Sequence, residues 1–183
     1  IIAVFTQAPL QSYLAQNIFL PKVSAGQSPI FWAAIPALPA GVIQELIKLS
    51  VIFLTFKFLK MGKRNPLLIG SAIGAGFGIV EASYIISHLP DAPIWSANLV
   101  ERGFIILFHA VSGVMLAAVL LFKSKTKRGV IIAVVVLANS WFRYLPVFVQ
   151  GQLLDAELLY ILIPLIPIML LLYGVALVKK SRK

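Results

Sequence analysis

Six apolar runs of about twenty residues or more, separated by short polar segments, organise this chain of 183 residues. About 20 mostly apolar residues are needed for a helix to cross a hydrocarbon core. The pattern therefore predicts transmembrane helices at roughly residues 1–20, 30–59, 66–89, 97–122, 129–150 and 156–178. Proline falls inside several of them. Pro9 lies in the first, Pro36 and Pro39 are expected to break the outer part of the long second span, and Pro164 with Pro167 should kink the sixth. The fold class expected is all-α: one polytopic membrane helix bundle of about six spans, residues 1–183 forming a single transmembrane domain. The chain begins at Ile1 rather than Met, so its first span is expected to be truncated, and its flanks do not match a signal peptide.

Composition supports the membrane reading. Hydrophobic residues make up 60% of the chain, charged residues 12%, and mean hydropathy is +0.97. With no cysteine, disulfide frameworks and thiolate metal sites are excluded. The net charge of +10 invites a nucleic-acid partner, but the basic residues sit at the ends of the spans. "KFLKMGKRNP", "KSKTKRG" and "KKSRK" hold most of them. The alternate loops, "HLPDAPIWS" and "QGQLLDAE", lack Lys and Arg and carry Asp91, Asp155 and Glu157. The positive-inside rule then places both termini in the cytoplasm of a multi-pass cell-membrane protein, with Lys22 the one dissenting charge. No nucleic-acid partner is expected; the bilayer is the partner the composition requires.

Polar groups inside the spans are the candidate chemistry. Glu45, Glu81 and His109 lie within spans, with Lys48, Arg102 and Arg143 at or near membrane depth. An ionised side chain at the bilayer centre costs about 2.5–3.5 kcal/mol even on the mildest scales, so such residues face the bundle interior and pair or function there. In the second span Gln44, Glu45 and Lys48 share one helical face. In the third, Gly70, Gly74 and Gly78 recur every four residues, a stripe that admits a close neighbouring helix, and Glu81 continues it seven residues after Gly74. In the fourth, Arg102, His109 and Gly113 fall on one face, flanked by Ser112. In the fifth, Asn139 and Arg143 are four apart; they either line the same cavity or, with Trp141 and Tyr144, mark the outer interface. Counted at about 1.5 Å per residue, Glu45, Glu81 and His109 can all fall between the midplane and the outer leaflet. They are expected to face one polar cavity.

These residues resemble a family. "QELIK" (44–48) differs by one residue from the Glu-Glu-x-x-Lys of PrsW-type intramembrane proteases. "FGIVE", Phe77 to Glu81, is similar to their Phe-x-x-x-Glu motif, and "HAVSG", His109 to Gly113, to their His-x-x-x-small motif. "ERGFIILFH" resembles the Glu-Arg-and-His pattern of the related YhfC-type membrane proteases. Both groups belong to the superfamily of CAAX prenyl-proteases and bacteriocin-processing membrane enzymes. The resemblance covers the second to fourth spans and is weaker in the fifth, where Asn139 stands near the place of an expected histidine.

The resemblance implies a glutamic-type peptidase acting on a membrane-embedded or juxtamembrane peptide. Gln44, Glu45, Glu81 and His109 would form its catalytic set, with Lys48, Phe77, Arg102, Ser112 and Asn139 in support. A carboxylate would activate the attacking water, His109 would assist, Asn139 or a nearby donor would stabilise the oxyanion, and Glu81 would share or tune the proton. Gln44 stands where the family has its water-activating glutamate. Glutamine is isosteric but cannot act as a general base. It is read first as an engineered, inactivating replacement and second as natural divergence. No cofactor is expected. Glu45, Glu81 and His109 could ligate zinc, but the chain lacks an HExxH motif. Two rival readings remain: a proton- or ion-coupled transporter using the same residues as a relay, and a catalytically inactive structural homologue.

Overall fold

The computed structural model describes residues 9–58, 66–87, 97–150 and 154–181. It is all-α: no strand occurs among the described residues. An N-terminal helical segment holds a π-helical turn at Ala15–Phe19 and an α-helical end at Leu20–Ser24. Five long helices follow: α1 (Pro29–Phe58), α2 (Pro66–Ser87), α3 (Ala97–Ala118), α4 (Lys125–Gln150) and α5 (Ala156–Ser181). Four helical stretches are long and apolar enough to cross a membrane: Pro29–Phe58, Pro66–Ser87, Glu101–Leu121 and Lys125–Leu145. In α5 the described apolar stretch is shorter, Ile161–Ala176. Of the expected first span, residues 1–8 lie outside the described residues, as do Asp91 and most of the first basic loop.

Local chemistry sets the helix ends. The N-terminal segment closes in a Schellman arrangement: Gly26 takes φ +78°, its N–H donates to the Val23 carbonyl, and the Gln27 N–H donates to the Lys22 carbonyl. Both α1 and α2 open on proline, where the missing N–H has no helical partner to lose. Ser124 caps α4 through its Oγ, which accepts from the Lys127 N–H at 3.4 Å. That cap starts the helix at Lys125, four residues before the expected 129, because "KSKTKRG" is a capped first turn as well as a charge cluster. A 3₁₀ turn, Val119–Leu121, ends the preceding helix, and Arg128 Nε holds the Phe122 carbonyl at 2.6 Å.

The expected proline break in the second span does not occur. α1 is helical for 30 residues, with Pro36 and Pro39 inside it. Ala33, Ala37 and Ala40 around them are buried and small, so α4 can lie against this stretch. The Tyr144 hydroxyl donates to the Ile30 carbonyl, while the Ser140 Oγ donates to the Val136 carbonyl of its own helix at 2.9 Å and lies 3.5 Å from the Leu38 carbonyl. The carbonyls that lose a donor to Pro36 and Pro39 are those of Trp32 and Ile35, so these contacts tie α4 to α1 without replacing the missing bonds. At about 1.5 Å per residue α1 is roughly 45 Å long, more than a hydrocarbon core of about 30 Å. The helix of α5 likewise runs through Pro164 and Pro167.

The chain divides into two compact units. One takes the residues up to Ile47 together with Val136–Leu162; the other takes Lys48–Val135 with the residues from Ile163 on. In the first unit α1 and α4 meet at Gly41, where an added Cβ would fall 2.8 Å from the Ser140 backbone nitrogen. In the second unit α2 packs on α3 along the glycine stripe. A Cβ on Gly70 would collide with the Gly113 carbonyl, one on Gly74 with the His109 carbonyl, and one on Gly78 would lie 2.6 Å from the Ile106 Cα. Ile52, Phe108, Met115, Leu116, Ile131 and Val135 fill the rest of this unit's core.

The stripe supports a direct prediction. Gly74→Ala forces two backbones apart and should cost about 1–3 kcal/mol, the usual penalty of overpacking. Gly76, on the same helix with nothing near its Cβ position, should accept alanine at no loss. Unfolding of the two variants in one detergent compares them directly. Equal stability would mean that α2 and α3 do not pack through the stripe.

Candidate active site

Each unit holds one polar cluster containing residues singled out in the sequence. In the second unit the cluster joins Lys48 of α1, Glu81 of α2, and His109 with Ser112 of α3. His109 Nε2 lies 2.8 Å from Glu81 Oε2, and Lys48 Nζ lies 3.0 Å from His109 Nδ1. Lys48 Nζ also donates to Ser112 Oγ at 2.6 Å, and that hydroxyl donates to the His109 carbonyl at 3.1 Å. All four residues are buried, with Lys48 and Ser112 at 0% exposure. The Phe77 ring lies 5.9 Å from Lys48 Nζ, within cation–π range.

One protonation pattern, with Lys48 as an ammonium and Glu81 as a carboxylate, satisfies these contacts. An ammonium only donates, so His109 Nδ1 must accept from Lys48. The ring proton then sits on Nε2 and is donated to the Glu81 carboxylate. In that pattern a neutral imidazole bridges the Lys48 cation and the Glu81 anion. Either ion alone would cost several kcal/mol at this depth. The glycine stripe makes the bridge possible: Gly78 brings its own helix within 3.2 Å of the His109 Cβ, measured from an ideal Cβ, and Glu81 is three residues further along.

The first unit's cluster joins Gln44 and Glu45 of α1 to Asn139 and Arg143 of α4. Asn139 Nδ2 donates to Gln44 Oε1 at 2.9 Å and to Glu45 Oε1 at 2.5 Å. Arg143 Nη2 donates to Gln44 Oε1 at 2.6 Å, while its Nε donates to Asn139 Oδ1 at 3.2 Å. Glu45 only accepts and Arg143 only donates, so the Asn139 amide can be oriented in one way. Gln44, Glu45 and Asn139 are each 1% exposed, and Arg143 is part-buried.

Several sequence expectations are refined here. Glu81 does point into the helix contact and meets His109 directly. The Arg143 guanidinium reaches Gln44. Arg102 is not brought to His109. It pairs instead with Glu101 at 3.7 Å. Sharing a face is not enough, because seven residues place the two about 10 Å apart along the axis. Both amide hydrogens of Asn139 serve Gln44 and Glu45. Ser140, which lies against the α1 backbone, was not anticipated; Gly41 opposite it was the only available signal. Among the described residues, no group of three or more His, Cys, Asp or Glu is placed to hold a metal ion.

Comparisons with protein-family models, with curated proteins and with solved structures find no match to this chain. Its fold and composition define a class: an all-α protein whose helices are long and apolar enough to embed it in a membrane.

Proposed function

We propose that this chain is a membrane-embedded peptidase of the glutamic type, silenced by glutamine at position 44. The observation that carries the reading is the surroundings of Gln44 Oε1. A guanidinium and an amide N–H converge on one buried oxygen, at 2.6 and 2.9 Å. Such a pair of donors, one of them a full cation, suits a carboxylate oxygen better than a carboxamide oxygen. A glutamate at 44 would take a proton from water, and that water would attack the scissile carbonyl of a peptide in or beside the bilayer. The resemblance names Glu81 and His109 as further members of the catalytic set. Cleavage of a candidate membrane peptide by Gln44→Glu, compared with the chain as it stands, tests the proposal.

A second reading is favoured by the hydrogen-bonded chain from Glu81 through His109 to Lys48, which has the makings of a proton path in a transporter. Proton-coupled flux from reconstituted vesicles, with no peptide bond broken by Gln44→Glu, would select it.

The proposal places the protein in the cell membrane with both termini in the cytoplasm. Cysteine at position 155, an exposed site, should react with an impermeant reagent on intact cells, and cysteine at position 125 should not. Labelling of position 125 from outside would reverse the orientation.

A further inference from the structure

The guanidinium of Arg143 is the strongest polar feature that the resemblance leaves without a role. It makes two directed contacts. Nη2 reaches Gln44 Oε1 at 2.6 Å, and Nε reaches Asn139 Oδ1 at 3.2 Å. Asn139, one turn earlier on α4, sends its amide hydrogens to Gln44 and Glu45. The geometry points to Arg143 as a positioning residue for position 44: with Asn139 it forms a cradle built for a carboxylate there. This rests on the reading of position 44 as a glutamate site. It adds the group on α4 that would hold the acid in place.

The charges make the case. In the present cluster Glu45 and Arg143 balance, and Gln44 is neutral. A glutamate at 44 adds a second carboxylate beside Glu45. Arg143 on α4 is the cation that faces it, and Lys48 stands one turn further along α1, where it is bonded to His109 and Ser112. Without Arg143, two adjacent buried carboxylates in this cluster would lose the guanidinium that α4 brings and keep from α4 the neutral donor of Asn139. Close carboxylates lacking a counter-charge do not ionise together. Arg143 also fixes direction. Its Nε holds the Asn139 amide with the N–H groups turned toward α1, so the two α4 side chains act as one donor surface.

The test is a thermal-unfolding cycle on the whole chain in detergent, which needs no substrate and no activity. Its members are the chain as it stands, Gln44→Glu, Arg143→Gln, the double variant Gln44→Glu/Arg143→Gln, and Gln44→Glu/Arg143→Lys. Removing Arg143 should lower the apparent Tm more with glutamate at 44 than with glutamine, by on the order of 5 °C, as expected for stranding a buried charge in a chain of this length. Lysine should recover part of that difference, since it restores charge without the fork. A purely structural arginine would give equal losses in both backgrounds, and that result would overturn the proposal. So would a lysine variant no better than the glutamine one. Should Arg143→Gln fail to fold, Arg143→Lys in both backgrounds keeps the comparison. An intact coupling with no cleavage by Gln44→Glu would count against the peptidase alone. Cleavage without coupling would count against the cradle alone.

Discussion

Gln44→Glu should raise peptide hydrolysis from background by about 10²–10⁴-fold, the usual contribution of a general base. At 1.36 kcal/mol per tenfold, this is about 3–5 kcal/mol of barrier. The substitution adds no bulk, since acid and amide are isosteric, and the oxygen it supplies meets the same donors from Asn139 and Arg143. Folding should therefore survive while the chemistry changes. The gain should require His109, because alanine there removes the group that holds Glu81 and Lys48 in one hydrogen-bonded chain. Turnover of a membrane peptide by the starting chain, by Gln44→Glu, and by Gln44→Glu/His109→Ala, at matched folded amounts, gives the answer. If the starting chain cleaves as fast as Gln44→Glu, position 44 is not the base, and the working carboxylate is Glu45 or Glu81.

Lys48→Met should cost about 3–5 kcal/mol of stability, the range for breaking a buried ion pair by removing one partner. Lys48 is wholly buried, and methionine approximates its volume, so packing loss contributes little. The penalty arises because the Glu81 carboxylate keeps its charge while the imidazole loses the ammonium that balanced it. Adding Glu81→Gln removes that stranded charge, and the double variant should be more stable than Lys48→Met alone. Unfolding titrations of the two single variants and the double variant yield the coupling. Strictly additive losses would mean that His109 does not link the two ions energetically.

Much of this arrangement was legible because glycine spacing and helical period are local signals. The stripe Gly70, Gly74, Gly78 announced a close helix contact, and seven residues from Gly74 put Glu81 in it. The chemistry of α1 was less legible. Gln44, Glu45 and Lys48 lie within about 100° of one another around the helix at 3.6 residues per turn, so their spacing cannot say which neighbour each will meet. The division falls between Ile47 and Lys48. Gln44 and Glu45 turn to α4, and Lys48 turns to His109 and Ser112 of α3. Arg143 was ambiguous for a related reason: a basic residue flanked by Trp141 and Tyr144 has the composition of an interfacial belt, and only the position of α1 draws it inward. The contacts of α1 with Ser140 and Tyr144 join residues more than 100 apart in sequence, which no local pattern carries.

The glycine face of α2 bears on how this helix pair responds to its medium. Where Gly70, Gly74 and Gly78 meet α3, the facing surfaces are largely backbone, so the contact confines almost no rotatable side chain on the α2 side. Between lipid-covered helices there is also no water to release, and cohesion comes from fit and dispersion. The seam should consequently tolerate exchange among apolar solvents of different chain length. One methyl group inserted at the wrong glycine is a greater threat to it than a change of surrounding lipid.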